Sequence, residues 1–229
     1  MNIAIIPARI GSKRIAKKNI KPFCGIPIIN YPIKIALESD LFDRVIVSTD
    51  SKEIANVAIE AGAEVPFFRP NELSDDYTVT ADVILHSLNK LNINNNIDYA
   101  CCIYATAVFV NKFYLEQGYK IISEKKSSTA FSVTTFPFSI FRSININDDG
   151  NIEMIWPEHM NTRSNDLEEA YHDAGQFYWI NVKKFLNNPS LYANDSMPVI
   201  IPRSHVQDID TLEDWKKAEL MYKAIQLSE

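Results

Sequence analysis

Hydrophobic positions in the first half of the chain alternate between two spacings. Short continuous apolar runs, typical of buried strands, are followed by segments in which apolar residues recur every three or four positions, typical of amphipathic helices. The predicted strands are residues 3–7, 44–48, 65–68, 98–104 and 129–134. The predicted helices are residues 28–37, 52–61, 79–91 and 113–122, and Gly62 is expected to form a left-handed cap after the second of them. Strands that alternate with helices predict a mostly parallel sheet of the α/β class, with helices on both faces.

The pattern changes between residues 136 and 171. Short β-like pieces flank the turn-forming run Asn147-Asp148-Asp149-Gly150, and a polar stretch follows over residues 161–169. This segment is typical of an inserted hairpin or arm and not of a second domain. Further strands are expected at residues 177–182 and 198–201, and a closing amphipathic helix at residues 212–227. We therefore expect a single domain over residues 1–229.

The charge of this globular composition is unevenly distributed. The chain has 229 residues, 46% hydrophobic and 23% charged, with a formal net charge of −6. No acidic residue precedes Glu38, whereas seven basic residues do, and the remainder carries 16 basic against 29 acidic groups. Cations concentrated at one end of an acidic protein predict a local anion site. The acidic remainder would repel the phosphates of a nucleic acid, so no nucleic-acid partner is expected.

Targeting signals and cysteine usage favour the cytoplasm. The chain has no apolar stretch near the roughly 20 residues that span a bilayer, so no membrane partner is expected. The apolar run at its amino end is short and is followed by basic residues, unlike a secretory signal. Three cysteines, two of them adjacent in an apolar segment, indicate reduced and buried thiols.

A basic loop follows the first predicted strand. Residues 8–19 have the sequence ARIGSKRIAKKN, in which one glycine and one serine lie among several cations. Loops at the carboxyl ends of parallel strands form the ligand crevice, and this composition suits a polyphosphate. The loop matches neither the P-loop nor the classical dinucleotide motif. The alternative is a solvated basic loop or a nucleic-acid patch.

Two longer segments resemble the cytidylyltransferases that activate nonulosonic and related acid sugars as CMP-sugars. They are IPARIGSKRIAKKNIKPF and FDRVIVSTDSKEIANVAIEAGAEVPFFRP. The resemblance implies a Rossmann-like nucleotidyltransferase three-layer fold, CTP as a substrate, and a small β-rich arm, near residues 136–171, that reaches across a homodimer. It also implies that the nucleotide is bound by Arg9, Ser12, Lys13, Arg14, Lys18, Asn19, Arg69 and Thr80. For Arg69, an ordinary surface arginine is the alternative.

Two aspartates precede the last predicted helix. Asp208 and Asp210 are two positions apart on an extended segment and therefore point to the same side. Mg²⁺ is typically held by one or two carboxylates together with phosphate oxygens and water. As an alternative, Thr211 and Asp214 form a capping-box pattern, in which Asp210 would merely favour the helix dipole. The resemblance implies that the two aspartates are the Mg²⁺ site.

Residues 161–179 are dense in hydrogen-bonding side chains. An acid sugar with amide substituents needs such groups, together with a cation and aromatic surfaces. The run resembles the NTRSQDL…YHDAGQFYW signature of the subgroup that activates pseudaminic acid. We expect sugar contacts from Tyr104, Thr106, Arg142, Tyr171, His172, Asp173, Gln176 and Tyr178, with Arg142 binding the carboxylate. The alternative is that these are polar core residues and strand packing.

The resemblance implies that CTP and pseudaminic acid give CMP-pseudaminic acid and pyrophosphate. The anomeric hydroxyl would attack the α-phosphate, with Arg9, Lys18, Asp208 and Asp210 as the catalytic groups. The sequence identifies no general base. One alternative is a cytidylyltransferase for another nonulosonate, such as legionaminic acid or N-acetylneuraminate. A more distant alternative is a nucleotide-binding regulator without turnover.

Overall fold

The computed structural model describes residues 1–91 and 96–227, within which ten strands and six helices are found. The strands are β1 (Asn2–Pro7), β2 (Pro22–Phe23), β3 (Ile26–Pro27), β4 (Arg44–Ser48), β5 (Tyr99–Ile103), β6 (Thr129–Thr135), β7 (Ile144–Ile146), β8 (Ile152–Met154), β9 (Tyr171–Asn181) and β10 (Met197–Ile200). The helices are α1 (Asn30–Glu38), α2 (Lys52–Glu60), α3 (Thr80–Lys90), α4 (Lys112–Lys125), α5 (Val182–Asn187) and α6 (Leu212–Gln226).

Six of these strands form one sheet in the order β10-β6-β9-β5-β1-β4. All its pairs are parallel except those of β9, which is antiparallel to both β5 and β6. Alternate side chains of β1 enter two different hydrophobic clusters, with Ala4 and Ile6 in one and Ile3 and Ile5 in the other. The sheet is therefore buried on both faces, as the continuous apolar strands predict. The predicted α/β class and mostly parallel sheet are confirmed.

The strand predicted over residues 65–68 is wrong. Single bridges join Glu64 to β4 and Phe68 to the residue after β4, but no strand forms between them. Pro66 lies inside this apolar run and has no N–H to donate to a ladder. An apolar run alone does not distinguish a strand from a buried extended segment of this kind.

The predicted arm contains the hairpin of β7 and β8. Its turn is closed by a bond from the Gly150 amide to the Asn147 carbonyl, with Gly150 at a φ of +79°. Several apolar side chains of the hairpin face solvent, including Ile146 and Ile152, which are 68% and 69% exposed. The strand after the arm, β9, begins at Tyr171, six residues before the predicted start.

The cysteines are unpaired, as predicted. Cys101 and Cys102 in β5 are fully buried, and Cys24 is half-buried. Burial raises the pKa of both β5 thiols, which keeps them protonated. Among the described helices, none has the length and apolar character needed to cross a membrane.

Candidate functional site

One edge of the main sheet gathers the predicted site residues. The strands β1, β4, β5, β6 and β10 run in the same direction, so their carboxyl ends meet at this edge. The antiparallel β9 brings its amino end to the same place, where the Tyr104 amide bonds the Gln176 carbonyl. Ligands of open parallel sheets bind at the carboxyl ends of the strands. Two cavities open there.

The first cavity has a volume of about 480 Å³ and lies beside the loop that follows β1. All eight predicted nucleotide residues line it, together with Tyr104, Thr106 and Asp210 from the other predicted sets. The sequence prediction therefore placed one whole set of side chains around a common space, although they come from the β1 loop, from the segment near residue 69 and from α3.

Three contacts hold the β1 loop in place. The Ala8 amide donates to the Ser48 carbonyl at 3.0 Å, which continues the pairing of β1 with β4. The Ile10 amide donates to Asp50 Oδ1 at 3.0 Å, and Asn19 Nδ2 donates to the Arg9 carbonyl at 2.9 Å. Asp50 ends the VSTD run, which begins within β4, yet sequence reasoning did not assign it a role.

The cations of the loop are neutralised by carboxylates from other segments. Arg9 and Lys13 both pair with Asp76, at 2.6 and 2.5 Å. The hydrogen bonds from Lys13 and Arg9 lower the pKa of Asp76, which therefore stays charged. Sequence reasoning missed Asp76, because an acidic residue is not expected in a site for a polyanion.

Asp210 neutralises two further cations of the loop. Arg14 pairs with Asp210 at 2.8 Å and Lys18 at 3.3 Å, while Lys18 Nζ also donates to the Ile209 carbonyl at 2.7 Å. The carboxylate predicted to bind metal is thus in contact with the loop predicted to bind phosphate.

Arg69 is a buried arginine and not a surface one, with 5% of its surface exposed. Its Nε donates to Ser74 Oγ at 3.1 Å. Burial lowers the pKa of Arg69, and the charge of Asp50 opposes that effect. Because a buried charge is costly unless it is paired or bound, Arg69 favours an anionic or polar ligand in the first cavity.

The structure contains the capping box that the sequence predicts before α6. Thr211 Oγ1 accepts from the Asp214 amide at 3.2 Å, and Asp214 accepts from the Thr211 amide at 2.8 Å, so the capping box is real. The cap uses Asp214, which leaves the carboxylate of Asp210 to face the cations. Ile209 is buried between the pair, with Asp210 in the first cavity and Asp208 in the second.

Asp208 and Asp210 fit a magnesium ion that is bound together with phosphate. Partial loss of hydration and the nearby charge of Asp210 raise the pKa of Asp208, an effect that Lys18 opposes. A carboxylate whose pKa is raised by a neighbouring carboxylate is favoured as a ligand for a cation. In the described part of the chain, no group of three or more candidate ligands is found. Mg²⁺ typically takes one or two carboxylates and completes its shell with phosphate oxygens and water.

The second cavity, of about 550 Å³, lies on the other side of Tyr104. Predicted sugar residues in its wall are Tyr104, His172, Asp173 and Tyr178. Asp208 also lines it. Four further lining residues were missed by sequence reasoning, namely Thr134, Tyr192, Arg203 and Lys217. Tyr104 lines both cavities, so the two spaces share a wall.

Asp173 is held by three donors in the second cavity. The hydroxyls of Tyr178 and Tyr192 both donate to its Oδ2, and the Gly175 amide donates to Oδ1 at 2.8 Å. Gly175 has a φ of +62°, a conformation that favours glycine and allows this turn within β9. Burial raises the pKa of Tyr192 to about 12, and also raises that of Tyr178, so both hydroxyls remain donors.

Three predicted sugar residues have other surroundings. Thr106 lines the first cavity and not the second. Tyr171 is exposed, and its hydroxyl donates to Glu169 at 2.6 Å. Gln176 is buried, and its Nε2 donates to the His205 carbonyl at 2.5 Å, so it supports the cavity wall from behind.

Arg142 is not in the wall of either cavity. Its guanidinium donates to the Met160 carbonyl at 3.1 Å and to the Thr162 carbonyl, which are both part of the arm. Within one chain, the structure therefore does not bring Arg142 to the space where a sugar carboxylate was expected.

The fold and the two cavities define an α/β protein with a cation-lined site beside a polar, aromatic one. Comparisons with known proteins agree with this description of the fold and the site. The profile of the cytidylyltransferase family matches residues 3–195. The chain is 42% identical to a pseudaminic acid cytidylyltransferase of Campylobacter jejuni, over 97% of this chain and 96% of that protein. It is 30% identical to the CMP-N,N'-diacetyllegionaminic acid synthase of Legionella pneumophila, over 98% of this chain and 97% of that one.

A solved structure supports the fold. The CMP:2-keto-3-deoxy-manno-octonic acid synthetase complexed with CTP is similar with a TM-score of 0.72 and 13% identity, over 97% of this chain and 98% of that one. The protein belongs to the cytidylyltransferase family. It is a CTP-dependent nucleotidyltransferase.

Asp76 competes with a bound triphosphate for Arg9 and Lys13. The substitution Asp76→Asn should tighten CTP binding by about 2- to 10-fold, since two partly exposed ion pairs no longer have to be broken. Calorimetric titration of the nucleotide measures this change. Glu72→Gln removes an exposed acidic charge from the same segment, outside the cavity wall, and should change the affinity little. Weaker binding to Asp76→Asn would contradict the competition and assign Asp76 to the bound complex.

Proposed function

We propose that the protein transfers CMP from CTP to pseudaminic acid, giving CMP-pseudaminic acid and pyrophosphate. The observation that carries this proposal is the pair of adjoining cavities, which share Tyr104 and are lined by Asp210 in the first and Asp208 in the second. A cation-lined space suits the triphosphate, and a polar aromatic space beside it suits the sugar. The relative from C. jejuni, which aligns over nearly the whole chain, carries the name of this activity.

In this reaction the chain acts by positioning its substrates. Arg9, Lys13, Arg14 and Lys18 exchange Asp76 and Asp210 for phosphate oxygens, and they stabilise the charge of the departing pyrophosphate. Asn19 and Asp50 keep the loop that carries these cations against the sheet. The sugar lies across Tyr104, with its anomeric hydroxyl toward the α-phosphate.

Asp208 and Asp210 hold Mg²⁺ in the proposed complex. The ion would neutralise the α-phosphate and orient it toward the attacking hydroxyl. For Asp210 to bind the ion, Arg14 and Lys18 must release its carboxylate, and the triphosphate supplies the replacement charge. Binding of the nucleotide and binding of the metal are therefore coupled, because both require Arg14 and Lys18 to release Asp210.

The sugar selected is the finer part of the proposal. The 42% identical relative is named for pseudaminic acid, and the 30% identical relative is named for diacetyllegionaminic acid. Both compounds are nonulosonic acids, so the distinction depends on the shape of the second cavity. Asp173, fixed by three donors, offers rigid acceptor geometry for a substituent of one particular orientation.

A substrate panel tests the activity. With CTP and Mg²⁺, pyrophosphate release is expected to be fastest with pseudaminic acid, slower with legionaminic acid and slowest with N-acetylneuraminate. Removal of Mg²⁺ with a chelator should abolish release. Preference for N-acetylneuraminate would contradict the substrate, and CTP binding without release on any sugar would identify a regulator.

The aspartates before α6 provide a matched pair of variants. Asp210→Asn should lower turnover by at least about 100-fold, because it removes charge at the position proposed for the metal. Asp214→Asn weakens the capping box and should cost about 1 kcal/mol of unfolding free energy while turnover continues. Turnover at saturating CTP and Mg²⁺, with thermal unfolding, separates the two effects. Survival of turnover in Asp210→Asn would restrict Asp210 to a structural role.

We also propose that the protein is a homodimer joined through the arm. The hairpin of β7 and β8 carries the exposed apolar residues Ile144, Ile146 and Ile152. An exposed apolar patch of this kind favours a protein interface.

The free and buried thiols of β5 suit the reducing cytoplasm, where we place the enzyme.

A charge placed on the arm tests the dimer. The double variant Ile146→Asp with Ile152→Asp should halve the mass measured by light scattering after gel filtration, because two carboxylates cannot be buried in an apolar interface. Ile59→Asp, on the exposed face of α2, is the matched control and should leave the mass unchanged. A monomeric parent protein would contradict the proposal.

A further inference from the structure

The second cavity contains two cationic side chains that form no ion pair with a described carboxylate. Arg203 and Lys217 lie in its wall, and no described carboxylate is within 4.0 Å of either one. The acidic groups nearby have other partners, since Asp173 accepts from two tyrosines and an amide. Asp208 also lines the second cavity, two residues before Asp210 in the first. Unpaired positive charge in a polar cavity favours an anionic ligand group.

Arg203 is held in place better than Lys217. It begins a 3-10 turn (Arg203–His205) that is separated from the end of β10 by two residues, and the buried Gln176 donates from Nε2 to the His205 carbonyl at 2.5 Å. Arg203 Nη1 donates to the Phe136 carbonyl at 3.3 Å. This one bond leaves most of the guanidinium donors available to a ligand. Lys217, in contrast, is a flexible chain that lies within electrostatic range of Asp214.

The position of Arg203 along the chain also suits a carboxylate. In a nonulosonic acid, the carboxyl group is bonded to the anomeric carbon, whose hydroxyl attacks the nucleotide. The group that binds this carboxyl must therefore lie near the boundary of the cavities. Arg203 is five residues before Asp208, on a segment that lines the second cavity and reaches the first at Asp210.

We infer that Arg203 binds the carboxylate of the acid sugar, through a guanidinium that the turn after β10 and the Phe136 carbonyl hold toward the second cavity. This inference rests on the proposed function for the class of sugar. It assigns to Arg203 the role that sequence reasoning gave to Arg142, whose guanidinium is bonded to carbonyls of the arm. Guanidinium and carboxylate form paired, charge-assisted hydrogen bonds, which a lysine reproduces only in part.

Binding of two sugars tests the assignment. The dissociation constants of pseudaminic acid and of its carboxamide are measured by calorimetry, with the α,β-methylene analogue of CTP present to prevent transfer. The parent protein should bind the acid more tightly. Arg203→Gln should weaken binding of the acid by about 10- to 100-fold and change binding of the carboxamide by less than about threefold. Arg203→Lys should retain part of the preference for the acid.

Control variants separate this role from structural damage. Arg44→Gln removes another arginine, at the start of β4 and away from both cavities, and should leave both constants unchanged. Nucleotide affinity should be the same in all variants. Equal weakening of acid and carboxamide in Arg203→Gln would mean that the residue only holds the arm, and this result would overturn the inference, as would unchanged affinity for the acid. Should Arg203→Gln fail to fold, the partial preference expected of Arg203→Lys decides.

The outcome is independent of turnover. A parent protein that prefers the acid, loses that preference in Arg203→Gln, and yet releases no pyrophosphate with CTP would contradict the proposed function while the inference holds. A parent protein that turns over the sugar, with Arg203→Gln keeping the full preference for the acid, would contradict the inference while the proposed function holds.

Discussion

Four of the five positive charges on the β1 loop set the main constraint on this structure. Arg9, Lys13, Arg14 and Lys18 follow the first buried strand and would repel one another if they were left alone. The fold balances them with Asp76 from the segment before α3 and with Asp210 from the segment before α6. Two distant parts of the chain are thus tied to the β1 loop by charge. Both parts border the first cavity, so the same pairs that neutralise the loop also define where a polyanion can replace them.

These ion pairs are suited to exchange of the carboxylates for a bound polyanion. The loop cations are solvent-accessible, and ion pairs in such surroundings contribute little to stability. The buried contacts, by comparison, are those that hold the backbone of the loop, such as the bond between Asn19 and the Arg9 carbonyl. The protein can therefore change the partners of its cations without moving the loop. Rigid backbone with exchangeable charge is a preorganised arrangement for binding a nucleotide.

Local patterns account for what could be predicted of the fold. The alternation of apolar runs and helical periods yielded the parallel sheet, because each element shows its own periodicity in the sequence. The prediction of a strand at residues 65–68 was wrong because this apolar run contains Pro66, and the effect of a proline on strand pairing depends on the neighbouring strands. The start of β9 was missed for a different reason. His172 and Asp173 are strand residues that line a cavity, so the polar signal of a loop concealed the strand.

The site was predictable to the extent that its residues are consecutive. The β1 loop shows its chemistry in one stretch of sequence, and all its predicted members line the first cavity. Asp76, Tyr192 and Arg203 come from three separate segments that have no motif around them. Topology alone brings Asp76 to the first cavity and Tyr192 and Arg203 to the second. Arg142 was selected because it lies near the sugar signature in sequence, whereas Arg203 reaches the cavity because β10 ends at the same edge of the sheet as β1.

Tyr104 gives the two cavities a common wall, and its hydroxyl lies 3.1 Å from Thr80 Oγ1 in the first of them. A ring in the wall of two cavities cannot move toward one of them without changing the surface that it presents to the other. The shapes of the two cavities are therefore linked through this one side chain.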